Sequence, residues 1–299
     1  MTDKERQLRV FGIKPESTVT VTKMNHITEI QHMQKMNARQ TIKKINKEEY
    51  VHLETGEVRK FKHIENRSQS QNSLRQTFKK LRYLINNNFN GTANEIHCTL
   101  TYAENMTDNN RLYKDFDRFM TRLKRKYKDT TSIDYLNVVE PQERGAWHCH
   151  LLLRFNDINS IFLRNKDIRE MWGQGFVTIK SLYGVDNIGA YLSAYLSDIE
   201  LTDATEDLAY RIDTEIVEKL VDGQKKRFIK GGRLHLYPPS MKLYRKSRGI
   251  VHPERKRMSY KDAKKEAGSG EPHYSNRYEV HGEDFTNSIY FEQYNSKRL

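Results

Sequence analysis

The sequence predicts an α+β fold built on an antiparallel sheet. Three observations in residues 95–200 carry that expectation. "IHCTLTY", "DYLNVVE" and "WHCHLLLRF" alternate as strands do, placing successive side chains on opposite faces. "DFDRFMTRLKRKY" repeats its apolar residues at helical spacing. The segments follow one another as β-α-β-β-α-β-α, with the two central strands joined by a turn too short for a parallel crossover.

Each element has its own local reason. "STVTVTK" alternates, and "EEYVHLETGEVRKFKH" reads as two strands around a Gly-containing turn. "SLRQTFKKLRYLI" puts Leu74, Phe78, Leu81 and Ile85 on one helix face. "NNNFNGTAN" is a polar break and the natural boundary. After the "IHCTLTY" strand, Phe116, Phe119, Met120, Leu123 and Tyr127 form one helical stripe, with Asp115 as the expected cap. "DYLNVVE" ends at Glu140, Gly145 permits the tight turn in "PQERGA", and "WHCHLLLRF" follows. "IREMWG" is a short helix and "GFVTIKSL" a strand. "VDNIGAYLSAYLSDIE" is a helix with Asp186 as its expected N-cap, and "TEDLAYRIDTEIVEKLVDG" an acidic helical segment. Three blocks result: a basic N-terminal module (1–93), an α+β domain (94–200) with an antiparallel sheet of about five strands flanked by helices, and a helical then basic C-terminal region (201–299).

Composition narrows the function classes. Of 299 residues, 36% are hydrophobic and 30% charged, which is polar but not a disordered profile. No apolar run approaches the ~20 residues that span a bilayer, so no membrane role is expected. The charged start "MTDKERQLRV" does not read as a secretory signal, and two cysteines, Cys98 and Cys149, make no disulfide framework. A cytoplasmic location is the expectation. The net charge of +13 is unevenly spread: residues 91–200 carry 14 Lys+Arg against 15 acids, and residues 223–265 carry 15 against 2. Lys225, Lys226, Arg227, Lys230, Arg233, Lys242, Arg245, Lys246 and Arg248 lie in that stretch, interleaved with Phe228, Tyr237, Tyr244 and Tyr260. This pattern suits a phosphate backbone and stacked bases, so nucleic acid is the expected partner. A solvated basic surface is the plainer alternative.

His148 and His150 in "WHCHLLLRF" share a strand face, and Cys149 points the other way. Two imidazoles side by side make a bidentate metal site. Glu140, at the end of the preceding strand, completes a His-His-Glu set suited to Mg²⁺ or Mn²⁺. The alternative is a pair of ordinarily hydrogen-bonded histidines. A zinc site of His97, Cys98, Cys149 and His150 conflicts with strand alternation, which splits each pair between faces. "AYLSAYLSD" sets Tyr191 and Tyr195 one helical turn apart, as candidate nucleophiles or as part of a packing stripe with Ile188 and Leu192.

In combination and order, "CTLTY", "EPQERGAWHCHLL" and "VDNIGAYLSAYLSD" resemble the three motifs of the HUH endonucleases, the rolling-circle replication initiators. The likeness is to the phage and plasmid replication-associated proteins, including the filamentous-phage gene II type; "YPPSMKLYRKSRGI" resembles their C-terminal signature. The resemblance implies an HUH core in which His148, His150 and Glu140 hold the cation and Tyr191 and Tyr195 attack DNA. It further implies nicking and rejoining of single-stranded DNA at an origin, through a 5′-phosphotyrosine, leaving a 3′-OH for a polymerase. Two features depart from it or bound it. Ala194 stands where many relatives have Lys, and no "GxxxxGK[ST]" occurs, so strand opening would need a host helicase. An HUH-type transposase or relaxase, or a non-catalytic DNA-binding regulator, is the alternative. The sequence leaves the oligomeric state open.

Overall fold

The computed structural model describes residues 12–35, 41–61, 71–142, 145–190, 192, 199–200, 216–221, 224–229, 236–238, 241–268, 270–281 and 286–298. In chain order the strands and helices are β1 (Thr18–Met24), β2 (Ile27–Met33), β3 (Ile42–Lys44), β4 (Glu49–His52), β5 (Val58–Lys60), α1 (Gln71–Asn88), β6 (Glu95–Tyr102), α2 (Asn109–Tyr127), β7 (Ile133–Pro141) and β8 (Trp147–Phe155). Then come α3 (Asn165–Trp172), β9 (Gly175–Ser181), β10 (Ile199–Glu200), β11 (Ile216–Val221), β12 (Gln224–Ile229), β13 (Tyr244–Lys246), β14 (Arg255–Ser259), α4 (Tyr260–Ala267), β15 (Tyr274–His281) and β16 (Thr286–Asn295). The fold is α+β with antiparallel sheets, two of them five-stranded, and an HUH core is consistent with it.

The chain forms two compact units, 1–64 with 253–299, and 65–252. These units cut the chain differently from the three compositional blocks. In the first unit β1 and β2 pair with strands from the last 45 residues, in the order β14-β1-β2-β16-β15. Such pairing has no local signature. The β1–β2 hairpin turns on Asn25 and His26, with Asn25 in the left-handed region at φ 51° that two-residue turns require. Val19, Val21 and Ile30 pack with Ala263 of α4 and Tyr294. The buried carboxylate of Glu292 accepts from Tyr260 Oη (2.8 Å) and Tyr294 Oη (2.6 Å), so it is fully engaged. β3, β4 and β5 form a smaller sheet, with Gly56 at φ 71° in the predicted turn.

The second unit is built on the sheet β13-β7-β8-β6-β9. Strand alternation divides its side chains between two layers. Cys98, Leu100, Tyr102, Val139, Cys149, Leu151 and Leu153 face one layer, covered by Leu112, Phe116, Phe119 and Leu123 of α2 and Ile168 and Trp172 of α3. Leu136, Val138 and Leu152 face the other, under Leu81, Leu84 and Ile85 of α1 together with Ile188 and Leu192. Burial of each such side chain is worth about 1.5–3 kcal/mol, so both layers contribute substantially.

Several local expectations are corrected. α2 is capped by Asp108, whose side chain accepts from the backbone N–H of Asn110 and Arg111. Asp115 is instead buried inside the helix, accepting from Tyr102 Oη at 3.2 Å. At the helical turn 188–190, Asn187 Oδ1 accepts from the backbone N–H of Ala190 (3.1 Å). Residues 216–221, expected helical, form β11 and pair with β12. The Asp222-Gly223 pair between alternating runs is a hairpin signal that outweighs helical spacing.

The fifth strand of the main sheet comes from the basic tail, which was expected only to bind DNA. β13 pairs with β7, and Tyr237, Met241 and Leu243 bury into the first layer. Asp134 locks the turn that follows. Its carboxylate accepts from Ser247 Oγ (2.7 Å), Arg154 Nη2 (2.9 Å) and Asn156 Nδ2 (3.1 Å). Burial acts to raise its pKa, but these hydrogen bonds prevail and hold it below the ordinary carboxylate value. Gly249 lies so close to that carboxylate that an added Cβ would collide with both oxygens, which their partners prevent from moving. Gly249→Ala should therefore cost about 1–3 kcal/mol, as overpacking does. Gly12→Ala, with open space around it, should be near neutral. Thermal melting of the two variants checks this.

Candidate metal centre

The register of β7, β8, β6 and β9 decides what stands together. Glu140 lies opposite His148, His148 opposite Thr101, and Thr101 opposite Phe176. Directly opposed residues share a sheet face. The next row is Val138, His150, Thr99 and Thr178, and the next Leu136, Leu152, His97 and Lys180. All belong to the α1 side of the sheet. Along β7 and β8 the apolar stripe Leu136–Val138 and Leu152 gives way to Glu140, His148 and His150.

Glu140, His148 and His150 each offer a ligand atom, and these atoms lie within 4.8 Å of one another. Glu140 and His150 are buried and His148 is partly exposed. His150 Nε2 meets Glu140 Oε2 directly. Two imidazole nitrogens and a carboxylate oxygen are a donor set that fits Mn²⁺ or Mg²⁺.

His97, which enters the sequence reading only as a zinc candidate, joins this group from β6. Its Nε2 is 3.3 Å from Nδ1 of His150, with the rings stacked at 5.5 Å. Burial, then the neighbouring His150 and Lys180, push its pKa down to about 3, so it is neutral. No sequence signal marks it, because its diagonal contact depends on the β6–β8 register. The zinc alternative does not form. Cys98 and Cys149 lie in the opposite, apolar layer, where burial pushes both thiols up to about 12.

Tyr191 and Tyr195 lie outside the described residues. The start of their segment does not. Ile188 and Leu192 pack on Leu136, Val138 and Leu152, the face that carries the metal group. Asn86 of α1 anchors this start, accepting from Gly189 N–H (2.8 Å) and donating to Asn187 Oδ1 (3.2 Å).

The predicted DNA-contacting residues separate into groups. Lys225 and Arg227 are exposed on β12, and Lys226 is half-buried. Lys242 and Arg248 are exposed. Arg245 pairs with Asp117 (2.8 Å) and lies over Tyr113 and Phe116, and Lys246 donates to Ile250 O (2.6 Å). Lys230 and Arg233 lie outside the described residues. The expected stacking aromatics are corrected: Phe228 and Tyr237 are buried, Tyr237 donates to Val139 O (3.1 Å), and Tyr260 is bonded to Glu292. Spaced aromatics in a basic tail served the core instead. Among the described residues of the main sheet, Phe176 in the His148 row is an exposed aromatic, 64% accessible.

Fold and site together define an α+β domain with a candidate two-histidine, one-carboxylate centre on one face of its main sheet. Residues 95–200 match the family described as replication-associated protein, of the ORF2 and gene II protein type. The match supports a replication initiator of phage or plasmid type. No curated protein and no solved structure matches the chain. No described helix is long and apolar enough to cross a membrane.

His148→Ala and Glu140→Ala should each weaken Mn²⁺ binding by at least tenfold while leaving the melting temperature nearly unchanged, the range seen when a metal site loses a supporting group. Titration followed by Mn²⁺ electron paramagnetic resonance checks both.

Proposed function

We propose that the chain is an HUH-type rolling-circle initiator that nicks and rejoins single-stranded DNA. The observation that carries this reading is the Glu140–His148–His150 group on the same sheet face as Ile188 and Leu192. Those two residues belong to the segment that carries Tyr191 and Tyr195. The family match over residues 95–200 supports it, since that span includes all five candidate residues.

In this reading a tyrosine oxygen attacks the scissile phosphorus, and a Tyr–O–P bond forms as the bond to the 3′ oxygen breaks. The tyrosine proton leaves, and the departing oxygen becomes a 3′-OH that a polymerase extends. One phosphodiester replaces another, so the step reverses, and the second tyrosine permits strand transfer without release of the first. A bound Mg²⁺ or Mn²⁺ neutralises charge on the phosphate. His148, His150 and Glu140 hold that cation. DNA runs over this face toward Phe176, roughly 10 Å from His148 at two strand spacings, and on along β9 toward Lys180. Residues 94–200 form the catalytic segment, with the basic residues of the C-terminal region adding affinity. A host helicase opens the duplex.

The Tyr191→Phe, Tyr195→Phe double variant should fold, bind Mn²⁺ and DNA, and form no covalent adduct with a labelled oligonucleotide. Each single variant should retain some cleavage, because one helical turn is only ~5.4 Å. Mass spectrometry of the DNA-linked peptide assigns the nucleophile; Tyr195 is expected for the first cut. An adduct on Tyr183 or Tyr274 would overturn the assignment. An intact DNA complex with no adduct under any metal would favour a regulator.

Phe176→Ala should weaken single-strand binding by about 1–3 kcal/mol, the usual worth of one stacked base. Charge reversal at Lys225 and Arg227 should lower the slope of log K against log salt by about 0.7 per lost phosphate contact. Fluorescence anisotropy across a salt series measures both effects.

A further inference from the structure

We infer that His97 is a positioning residue, one that holds His150 in the tautomer able to bind a cation. This rests on the metal-centre reading above and goes beyond it, since His97 supplies no ligand atom to the Glu140–His148–His150 group. His150 presents Nε2 toward Glu140 and Nδ1 toward His97. A neutral imidazole has one N–H and one lone pair. For Nε2 to offer its lone pair to a cation, the His150 proton must sit on Nδ1. The group 3.3 Å from that nitrogen is His97 Nε2, which accepts the proton's hydrogen bond when His97 carries its own proton on Nδ1. Outer partners of this kind fix both the tautomer and the ring orientation of a ligating histidine.

The surroundings make His97 a rigid support. It is 6% exposed on the central strand β6, between β8 and β9. Its ring lies 23° from parallel to that of His150. The position itself demands no imidazole for packing, because neighbouring positions on the same face are held by Leu152 and Thr99. Two replacements therefore separate packing from hydrogen bonding. Phe keeps a ring and accepts no hydrogen bond. Gln keeps an acceptor near the place of Nε2 and gives up the ring.

The test is Mn²⁺ titration of the full chain, followed by electron paramagnetic resonance. His97→Phe should bind Mn²⁺ about 10–100-fold more weakly than wild type, the usual cost of losing an outer partner. His97→Gln should bind within a few-fold of wild type. A merely structural role predicts the reverse order or equal losses, and either result overturns the inference. Wild-type affinity in His97→Phe also overturns it and leaves the metal centre standing. Failure of the wild-type protein to bind Mn²⁺ overturns the metal-centre reading itself. If His97→Phe does not fold, ¹⁵N chemical shifts of the His150 ring in metal-free wild-type protein decide the matter. A proton on Nδ1 supports the role, and a proton on Nε2 overturns it.

Discussion

The register between β7 and β8 is the constraint on which the site depends. It sets Glu140 opposite His148 and leaves His150 one row further in. A slip of one residue would turn Glu140 into the layer under α2, where Phe116 and Phe119 pack. The register is held from both ends. The loop side is closed by backbone bonds between Gln142 and Ala146 and from Gly145 to Gln142. At the far end Ile133 faces Phe155, and Asp157 accepts from the backbone of Ser132 at 2.7 Å. Large apolar residues on one face and a polar group on the other make any shift costly twice over.

Polar groups inside this unit follow the same economy. Asp134 and Asp115 are each surrounded by donors, so neither charge is stranded. Asp134 also couples the C-terminal tail to the sheet through Ser247, making the "YRKSRGI" stretch an integral part of the unit. The basic residues of the tail are consequently of two kinds. Arg245 and Lys246 serve the fold, whereas Lys225, Arg227, Lys242 and Arg248 keep their side chains outward.

Much of the central unit was legible because its signals are local. Alternation in "IHCTLTY" and "WHCHLLLRF" and the helical stripe of "DFDRFMTRLKRKY" each depend on neighbours in sequence. The pairing of His148 with Glu140 was likewise readable, since a short turn joins their strands. What stayed hidden depends on distance along the chain. β13 has three residues and no period to detect. The pairing of β2 with β16 leaves no mark in either segment. His97 reaches His150 only once β6 lies beside β8, 53 positions away. Burial of Phe228 and Tyr237 could not be told from exposure, because an aromatic beside lysines satisfies either role.

The interleaving of first and last strands also bears on synthesis. Residues 65–252 are continuous and carry their own two apolar layers, so they can fold as soon as they leave the ribosome. The other unit cannot. Its β2 waits for β16, and Gln293 meets Glu29 only across 264 positions. Until the last strands emerge, β1 and β2 are an isolated hairpin, marginal in water. The candidate catalytic unit thus draws its strands from one continuous stretch, while its companion keeps an open edge until β16 is made.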